Sequence, residues 1–303
     1  MTKVLVSDHV EIDKLSLGSG FEVDYKPGIQ KDELMKIIGG YDALVVRSRT
    51  KVDKELLDHA QRLKIVARPG TGLDNVDVEY AKGKGVQVVN SPESLVEAVA
   101  EHVLLLMLAL SRKLPMAAST TASGKWEKEA LLGVELKGKT LGIVGFGRIG
   151  RRIGELARVL GMKILVYDVV PIPPDVVAQT GCRVVALDEL LASSDYVTLH
   201  VPMTDQTRHM LDGRRLSMMK KSAFLVNSSR GGVIDEHALS DSLKQGRLAG
   251  AALDVFEKEP PTGEILAAPN AILTPHIGGQ TAEAQADAIT VVGQKLKAFF
   301  SRA

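Results

Sequence analysis

The sequence predicts an α/β protein with two doubly wound parallel sheets, one in each of two domains. Three observations support this class. Short apolar runs alternate with amphipathic helical patterns along most of the 303 residues. The alternation stops after Pro92 and restarts at Lys139, and a chain of this length can form two cores. At the restart, a glycine-rich turn joins an apolar run to a helix, as at the first strand of many such sheets.

The first unit contains five apolar runs that we expect to be parallel strands. They lie at residues 4–6, 21–23, 43–46, 63–67 and 86–89. Helical patterns at 32–38 and 53–60 lie between them, and Asp53 is suited to cap the second helix because its carboxylate can accept a backbone N–H. Strands that alternate with helices form a sheet that is covered on both faces.

The middle of the chain differs from the regions on either side. Residues 93–112 form a long helical pattern that is apolar on most sides, which favours burial at a domain junction or subunit contact. His102 within it is interpreted as a core residue. Residues 116–138 form a looser segment with the only tryptophan, Trp126. This segment is either a surface loop with one anchoring aromatic or an arm that packs on a second subunit.

The second unit repeats the alternation of strand and helix. Its expected strands lie at residues 141–144, 163–167, 183–185, 195–199, 222–226, 249–253 and 271–274. The last helical pattern, 281–300, is long and well patterned, so we expect it to pack on the first unit. The predicted domains are therefore residues 1–95 with 281–303, and residues 96–280.

Composition restricts the classes of function. Lys and Arg total 38 against 37 Asp and Glu, so the net charge of +1 favours neither nucleic acid nor an anionic membrane. The single cysteine, Cys182, excludes an internal disulfide and a cysteine metal cluster, and we interpret it as a core residue in a reducing cytoplasm. No metal site is expected. The chain enters a strand pattern from Met1, so we expect no signal peptide, and the apolar run 103–110 is too short to span a bilayer.

The glycine-rich turn predicts dinucleotide binding. The residues of its G-x-G-x-x-G motif are Gly145, Gly147 and Gly150. Such a turn brings backbone N–H groups and the positive end of a helix dipole against a pyrophosphate. Asp168 ends the next strand about 18 residues later, where a carboxylate can bind the ribose, although alone it could be a solvated strand-end residue. Val169 and Val170 follow it, rather than an arginine, so NAD is preferred to NADP.

Polar side chains follow the remaining strands of the second unit. They include His200, Arg230, Glu257, Glu259 and His276. Ligands of a doubly wound sheet lie beyond the carboxyl ends of its strands, so we expect these groups to converge on the nicotinamide end of the cofactor. Such a set suits oxidation of an alcohol beside a carboxylate. The histidine accepts the proton, an acid orients it, and the guanidinium binds the substrate carboxylate.

Each of these candidates also has a structural interpretation. His276 could be a packed structural histidine, and Arg230 could cap a helix or bind only cofactor phosphates. Glu257 and Glu259 could both be solvated surface charges. His200, at a strand end, is the strongest competitor for the role of proton acceptor.

Four motifs in this order resemble the D-2-hydroxyacid dehydrogenase family. They are Gly-Phe-Gly-Arg-Ile-Gly, Asn-Ser-Ser-Arg-Gly-Gly, Ala-Leu-Asp-Val-Phe-Glu-Lys-Glu-Pro and Thr-Pro-His-Ile-Gly-Gly. Residues 68–77 extend the resemblance into the first unit, so that it covers nearly the whole chain. The resemblance implies a Rossmann NAD-binding domain inserted into a flavodoxin-like substrate domain.

The resemblance also implies roles for individual residues. Arg230 would be the substrate arginine, Glu259 the orienting glutamate and His276 the acid–base histidine. The implied NAD contacts are Thr71, Gly145, Gly147, Arg148, Ile149, Gly150, Asp168, Val201, Ser228, Asp254 and Gly278. The implied substrate contacts are Arg47, Ser48, Gly72, Asn75 and Arg230.

Within that family, the segment 46–52 is similar to the phosphoglycerate dehydrogenases, as is the sequence around Trp126. If 46–52 is extended, Arg47, Arg49 and Lys51 share one face. They could attract a substrate whose phosphate and carboxylate together carry about three negative charges. The alternative is a solvated charged loop.

We therefore expect a cytoplasmic homodimer that oxidises D-3-phosphoglycerate to 3-phosphohydroxypyruvate with NAD, a step of serine biosynthesis. A reductase of glyoxylate or hydroxypyruvate is the nearest alternative, and a non-catalytic NAD-sensing corepressor is a further one. The chain ends at Ala303, without the C-terminal regulatory domain of many phosphoglycerate dehydrogenases, so serine feedback through such a domain is not expected.

Overall fold

The structure is a computed structural model that describes residues 1–301. It divides the chain into two units, one formed by Met1–Val96 with the segment from Gly279 onwards and the other by Glu97–Gly278. Each unit contains one parallel sheet, and the two sheets have five and seven strands. The predicted α/β class with two parallel sheets is confirmed.

The first unit has a flavodoxin-like sheet. Its strands are β1 (Thr2–Val6), β2 (Phe21–Tyr25), β3 (Ala43–Val45), β4 (Ile65–Arg68) and β5 (Gln87–Asn90). Its helices are α1 (Ile12–Leu15), α2 (Lys31–Ile37), α3 (Lys54–His59), α4 (Val78–Gly83) and α12 (Ala282–Phe300), with a 3₁₀ helix at Ile38–Gly40. The strand order is β2-β1-β3-β4-β5, and the central strand β3 is buried along its length because helices cover both faces.

Helix α12 belongs to the first unit. The apolar side chains of its inner face are buried in one core with β1 and β4: Ile289, Val292 and Leu296. Gly293 lies so close to α1 that a Cβ there would collide with the carbonyl of Leu15. Thr281 caps the start of the helix, where its hydroxyl accepts a hydrogen bond from the backbone N–H of Ala284 at 3.2 Å.

The second unit has a Rossmann sheet. Its strands are β6 (Thr140–Val144), β7 (Lys163–Tyr167), β8 (Arg183–Val184), β9 (Tyr196–Leu199), β10 (Phe224–Asn227), β11 (Gly250–Leu253) and β12 (Ala271–Leu273). Its helices are α5 (Val96–Ser111), α6 (Leu114–Ala122), α7 (Arg148–Val159), α8 (Pro174–Thr180), α9 (Leu187–Ser193), α10 (Gly213–Met218) and α11 (Glu236–Lys244), with 3₁₀ helices at Gly231–Val233 and Glu264–Ala267. The order β12-β11-β10-β9-β6-β7-β8 reverses direction at β6, which is the Rossmann arrangement.

The segment after α5 is more regular than predicted. Residues 116–122, expected to be loose, belong to α6, because Pro115 lies in the first turn of that helix, where its missing N–H costs nothing. Among residues 1–301, no single helix is long and apolar enough to cross a bilayer. Helices α5 and α6 meet the length and hydropathy criteria only when they are taken together, and the pair is bent by 63°. Trp126 is 79% exposed, so it does not anchor the segment in the core of its own unit.

Strand order determines which loops of the second unit are neighbours. Strands β9, β10, β11 and β12 are adjacent and parallel, and Asn227 at the end of β10 pairs in register with Leu199 and Leu253. The segments that follow these strands therefore leave the same edge of the sheet side by side. These segments carry most of the polar residues that the sequence singled out.

Candidate active site

The turn after β6 has the geometry of an anion site. Gly145 has φ +91, and a Cβ there would lie 2.5 Å from the carbonyl oxygen of His200, so only glycine fits. A Cβ on Gly150 would collide with the Gly145 carbonyl, so the helix packs tightly on the turn. Helix α7 starts after Gly147 and has no side-chain cap there. Its first N–H groups are therefore available to a phosphate.

Asp168 is fixed at the end of β7 beside this turn. Its carboxylate accepts backbone hydrogen bonds from Phe146 at 2.6 Å and from Val170 at 2.9 Å. Each carboxylate oxygen keeps further lone pairs, so the group can still accept ribose hydroxyls. Val169 and Val170 are exposed, and neither offers a positive charge for a 2′-phosphate.

Two buried hydroxyls expected to touch NAD have no hydrogen-bond partner among residues 1–301. They are the Oγ1 of Thr71 in the first unit and the Oγ of Ser228 in the second. The Thr71 backbone is held in place, because its carbonyl accepts a hydrogen bond from Asn90 Nδ2 at 2.6 Å. A buried hydroxyl without a partner is costly in a folded protein. Within its own unit, each hydroxyl is therefore suited to a polar ligand such as NAD.

The turn that carries Arg230 is shaped by Asn227, whose side chain is buried. The Asn227 Nδ2 donates to the carbonyl of Arg230 at 2.9 Å, and its Oδ1 accepts from the N–H of Ser229 at 3.0 Å and from its hydroxyl at 2.8 Å. The half-buried guanidinium of Arg230 donates to the Ser229 carbonyl at 2.6 Å. Gly231 follows, and a Cβ there would collide with the backbone of Phe256, so this turn lies against the segment after β11.

His276 and Glu259 form a direct pair. The Nδ1 of His276 lies 3.1 Å and 3.0 Å from the two carboxylate oxygens of Glu259. A carboxylate can only accept, so Nδ1 carries the proton and Nε2 keeps a lone pair while the ring is neutral. Both side chains are about half exposed, which leaves Nε2 accessible.

The nearby Glu257 has different partners. Its carboxylate lies 3.2 Å from Nε2 of His209 and accepts a hydrogen bond from the backbone of Glu236 at 3.1 Å. The structure thus separates two acids that are two positions apart in sequence. Burial and the nearby charge of Glu257 raise the pKa of Glu236.

The backbone at His276 is unusual. Its φ is +55, in the left-handed region, which costs a residue with a Cβ roughly 1 kcal/mol or more. The buried carboxylate of Asp254 holds the residues on both sides. It accepts hydrogen bonds from Thr274 Oγ1 at 2.6 Å, from the N–H of Ile277 at 2.9 Å and from that of Gly278 at 2.7 Å. Burial alone would raise the pKa of Asp254, but these hydrogen bonds and one from His102 lower it.

His200 differs from His276 in its surroundings. Its Nε2 lies 2.8 Å from the hydroxyl of Thr198, and it has no carboxylate partner among residues 1–301. Desolvation lowers the pKa of His200 to about 3, so the ring stays neutral throughout the physiological range. A ring that cannot take up a proton near neutral pH is poorly suited to be the proton acceptor.

The basic segment of the first unit does not form one charged face. Strand β3 ends at Val45, so residues 46–51 are a loop rather than an extended continuation. The Nε of Arg49 lies 3.2 Å from the buried carboxylate of Asp8, and its Nη2 donates to the carbonyls of Ser7 at 3.1 Å and Ile29 at 3.0 Å. Arg49 therefore holds the loop in place, which the sequence pattern did not indicate.

The side chain of Arg47 has different surroundings from that of Arg49. Its N–H donates to Asp8 at 2.6 Å, while its side chain lines a cavity of about 420 Å³ together with His9, Tyr25 and Thr281. Burial lowers the pKa of Arg47, and the negative charge of Asp8 offsets only part of this. A half-buried positive charge in a cavity suits an anionic ligand.

The other predicted substrate residues lie near this loop or in the following one. Asn75 donates through Nδ2 to the carbonyls of Arg47 and Thr50, both at 2.6 Å, so it supports the loop that carries Arg47. Ser48 is exposed in the same loop. Gly72 lies next to Thr71, in the segment between β4 and α4.

Two residues that shape the site were given no role there by the sequence analysis. Asn227 orders the Arg230 turn, and its position at the end of a buried strand was the available signal. His102, predicted to be a core residue, lies 3.4 Å from Asp254 and 3.3 Å from Thr274 through Nε2. A histidine in an otherwise apolar helix must find a polar partner when buried, which was the overlooked signal.

Comparison with known proteins identifies the second unit. Residues 104–278 match the family model of the D-isomer specific 2-hydroxyacid dehydrogenase, NAD binding domain. The chain is 44% identical over 300 residues to D-3-phosphoglycerate dehydrogenase of Methanocaldococcus jannaschii, a match that covers 98% of this chain and 57% of that protein. It is 48% identical over 261 residues to hydroxypyruvate reductase of Thermotoga maritima, covering 85% and 84% of the two chains.

A solved structure with bound ligands is also similar. The D-lactate dehydrogenase of Aquifex aeolicus, complexed with NAD and lactic acid, superposes with a TM-score of 0.85 at 32% identity over 98% of this chain and 95% of that one. The present chain spans little more than half the length of the phosphoglycerate dehydrogenase it matches, at 57%. Residues 104–278 are therefore an NAD-binding domain, as the glycine turn predicted.

Proposed function

Because this chain belongs to the D-isomer specific 2-hydroxyacid dehydrogenase family, we propose that it oxidises D-3-phosphoglycerate to 3-phosphohydroxypyruvate with NAD, a step of serine biosynthesis. The observation that carries the chemistry is the contact of His276 with both carboxylate oxygens of Glu259, at 3.1 Å and 3.0 Å. Arg230 lies in the loop after β10, which neighbours β11, the strand that precedes Glu259. The glycine turn follows β6 of the same sheet.

The proton is handled by the pair of His276 and Glu259. Nδ1 donates to Glu259, so the lone pair of Nε2 accepts the proton of the substrate hydroxyl. The carboxylate then stabilises the imidazolium that forms. NAD supplies the hydride acceptor when it is bound. As the O–H proton passes to Nε2, the C–H bond gives up its hydride and the C=O bond of the 2-oxo acid forms.

Arg230 binds and orients the substrate. A guanidinium offers two parallel N–H groups to the carboxylate beside the reacting carbon, which fixes the hydroxyl relative to Nε2. The Asn227 side chain holds the Arg230 backbone, so the fork is positioned before the substrate arrives. This preorganisation reduces the entropy cost of reaching a reactive geometry.

The substrate class rests on Arg47. A phosphorylated 2-hydroxy acid carries about three negative charges, two of them on the phosphate. The guanidinium of Arg47 is half-buried at a cavity of about 420 Å³, and Asn75 holds its loop. The relative from Methanocaldococcus jannaschii named D-3-phosphoglycerate dehydrogenase supports this choice.

A reductase of hydroxypyruvate or glyoxylate is the second candidate. The relative named hydroxypyruvate reductase is 48% identical, and this chain covers 84% of its length. Such an enzyme would use the same pair and the same arginine in the reverse direction, on an acid without a phosphate.

A substrate panel tests both candidates and catalysis itself. NADH formation is measured with D-3-phosphoglycerate, D-glycerate and D-lactate, and NADH consumption with hydroxypyruvate and glyoxylate. We expect the highest kcat/KM of the oxidation reactions with D-3-phosphoglycerate. A preference for the unphosphorylated acids would overturn that choice in favour of the second candidate. If none of these compounds were turned over, the proposal that this chain is a catalyst would be wrong.

We also propose that the chain works as a homodimer. Large apolar side chains are exposed along α5, α6 and the segment after them: Leu105, Leu114, Met116, Trp126 and Leu132. Exposed apolar surface of this kind is typical of a contact with another chain. Sedimentation equilibrium should give twice the mass of 32.5 kDa, and a single-chain mass would contradict the proposal.

A further inference from the structure

A hydrogen-bond network inside the second unit reaches from helix α5 to the loop that carries His276. The side chain of His102 on α5 is 10% exposed and that of Asp254 is 1% exposed. Nε2 of His102 lies 3.3 Å from the hydroxyl of Thr274 and 3.4 Å from Oδ1 of Asp254. The Thr274 hydroxyl lies 2.6 Å from the same Oδ1.

These distances determine where the protons lie. The carboxylate of Asp254 is kept ionised by its donors, so it accepts and does not donate. The single proton of the Thr274 hydroxyl is therefore given to Asp254 over the 2.6 Å contact. The hydroxyl then has only lone pairs left for His102. Nε2 of His102 must therefore carry a proton, which it shares between Thr274 and Asp254.

The network acts on both sides of His276. Thr274 lies two positions before it, and Ile277 and Gly278 follow it and donate their N–H groups to Asp254 at 2.9 Å and 2.7 Å. Between these fixed points, His276 adopts a φ of +55 that a residue with a Cβ seldom takes. A strained backbone persists only where its surroundings hold it firmly. The same loop also approaches α5 closely, since a Cβ on Gly278 would lie 3.6 Å from Cδ2 of His102.

We infer that His102 is a positioning residue for the acid–base histidine: through Thr274 and Asp254, it fixes the backbone from which His276 meets Glu259. The inference rests on the proposed function, in which His276 moves the proton. His102 does not touch the reacting atoms. It supplies the outermost donor of a buried network in which each proton has an acceptor.

If only packing mattered at position 102, a hydrocarbon of similar size could replace the imidazole. The neighbouring positions on α5 that face the core are apolar: Val99, Val103 and Leu106. If His102 only filled space, His102→Leu would leave the loop and the reaction unchanged. If it positions the loop, the loss of its N–H donor loosens residues 274–278, and a donor at the same place restores them.

The experiment compares His102→Leu with His102→Gln, whose carboxamide nitrogen reaches about as far as Nε2. We expect His102→Leu to lower kcat roughly tenfold, since a small misplacement of a catalytic group is costly. His102→Gln should recover kcat to within about threefold of the unmodified protein. Thr274→Val should resemble His102→Leu, and the double variant should be little worse than either, because both break one network.

Hydrogen exchange gives a readout that needs no substrate. In His102→Leu, the amides of Ile277 and Gly278 should exchange at least about tenfold faster, while those of β10 are unchanged. Leu106→Ala on the same helix is the matched control, because Leu106 is buried in the core and its side chain has no hydrogen-bonding atom to contribute to the network. It should leave both kcat and the exchange of the loop unaltered.

The outcomes separate this inference from the proposed function. Unchanged exchange of Ile277 and Gly278 in His102→Leu would overturn the inference, whatever the substrate. Equal loss of kcat in the Leu and Gln variants would also overturn it, since packing rather than the donor would then matter. If the unmodified protein turned over no 2-hydroxy acid, the proposed function would fail, and the exchange data alone would decide the role of His102.

Discussion

Two loops that follow parallel strands show how differently this chain treats its charged side chains. In the first unit, the loop after β3 carries Arg47 and Arg49, and Asp8 takes Arg49 into an ion pair at 3.2 Å. In the second unit, the loop after β12 carries His276, which is paired with the half-exposed Glu259. Asp8 and Asp254 are both buried carboxylates that hold a loop by its backbone.

The two loops differ in which side chains are left unpaired once the buried carboxylate has accepted its hydrogen bonds. Asp8 accepts from the backbone of Arg47 and of Thr50 and also from the Arg49 side chain, so one of the loop's two arginines is used for structure. Asp254 accepts from backbone groups and from Thr274, so the His276 side chain is free to meet Glu259. A charged side chain at a strand end is thus available to bind a ligand or move a proton only where it is not already paired with a buried group of opposite charge.

The largest test of this comparison is His276→Ala. We expect kcat to fall by about 10² to 10⁴, the range for the loss of a general acid–base, while the Kd for NADH changes little. Steady-state kinetics and NADH fluorescence measure the two. His237→Ala, which removes a strongly exposed histidine, should leave kcat unchanged. Turnover of His276→Ala within threefold of the unmodified protein would contradict the assignment.

The next test removes the acid that anchors the other loop. Asp8→Asn keeps the shape but takes away a buried charge that accepts four hydrogen bonds, two of them from Thr50. We expect the free energy of unfolding to fall by about 2–4 kcal/mol, because donors are left unsatisfied. Urea denaturation measures it. Asp13→Asn, at an exposed position, should change it by less than about 0.5 kcal/mol, and an equally small effect of Asp8→Asn would remove the basis of the comparison.

Arg47→Ala sharpens the comparison. It tests whether Arg47, the arginine of this loop whose side chain is not paired with Asp8, binds the phosphate of the substrate. We expect kcat/KM for D-3-phosphoglycerate to fall about 10- to 100-fold, the value of one or two charge-assisted hydrogen bonds. For D-glycerate it should change less than about threefold. Lys51→Ala, at an exposed position of the same segment, is the control. Equal losses on both substrates would show that Arg47 does not bind the phosphate.

The smallest effect concerns His200, a strand-end histidine with no charged partner in the described part of the chain. Its pKa is about 3 in the folded protein against an ordinary 6.5, so below pH 6.5 the unfolded chain binds a proton that the folded one does not. Stability is therefore lost as pH falls from 6.5 towards 3, by about 1 kcal/mol between pH 7.5 and 5.5. His200→Asn should remove this part of the pH dependence, while His237→Ala should keep it. Parallel slopes for His200→Asn and the unmodified protein would contradict the assigned pKa.

Much of the fold could be predicted from the sequence, because each strand is a short apolar run bounded by turn residues. Residues 116–122 were expected to be loose, whereas Pro115 lies in the first turn of α6, a position that proline favours. A proline that follows a long helix can lie either in a loop or in the first turn of a new helix, and the local sequence does not distinguish these two positions.

The candidate site was predicted unevenly, for a physical reason. Gly145, Arg230 and His276 could be named because a parallel sheet brings the ends of its strands to one edge. The structural role of Arg49 could not be predicted, because its partner Asp8 lies 41 positions away and no local sequence feature indicates the pairing. The apolar helix around His102 indicated that its ring needs a polar partner, but the identity of that partner could not be predicted, since Thr274 lies 172 positions further along the chain.

The placement of α12 has a consequence for biosynthesis. Strands β1 to β5 leave the ribosome early, but the helix that packs beside α1, with Gly293 against Leu15, is translated only after the whole second unit. The second unit can complete its sheet during translation, while the first must wait with part of its apolar surface uncovered. A ribosome stalled between Gly278 and α12 would therefore carry a second unit with all its strands translated and a first unit whose core still lacks α12.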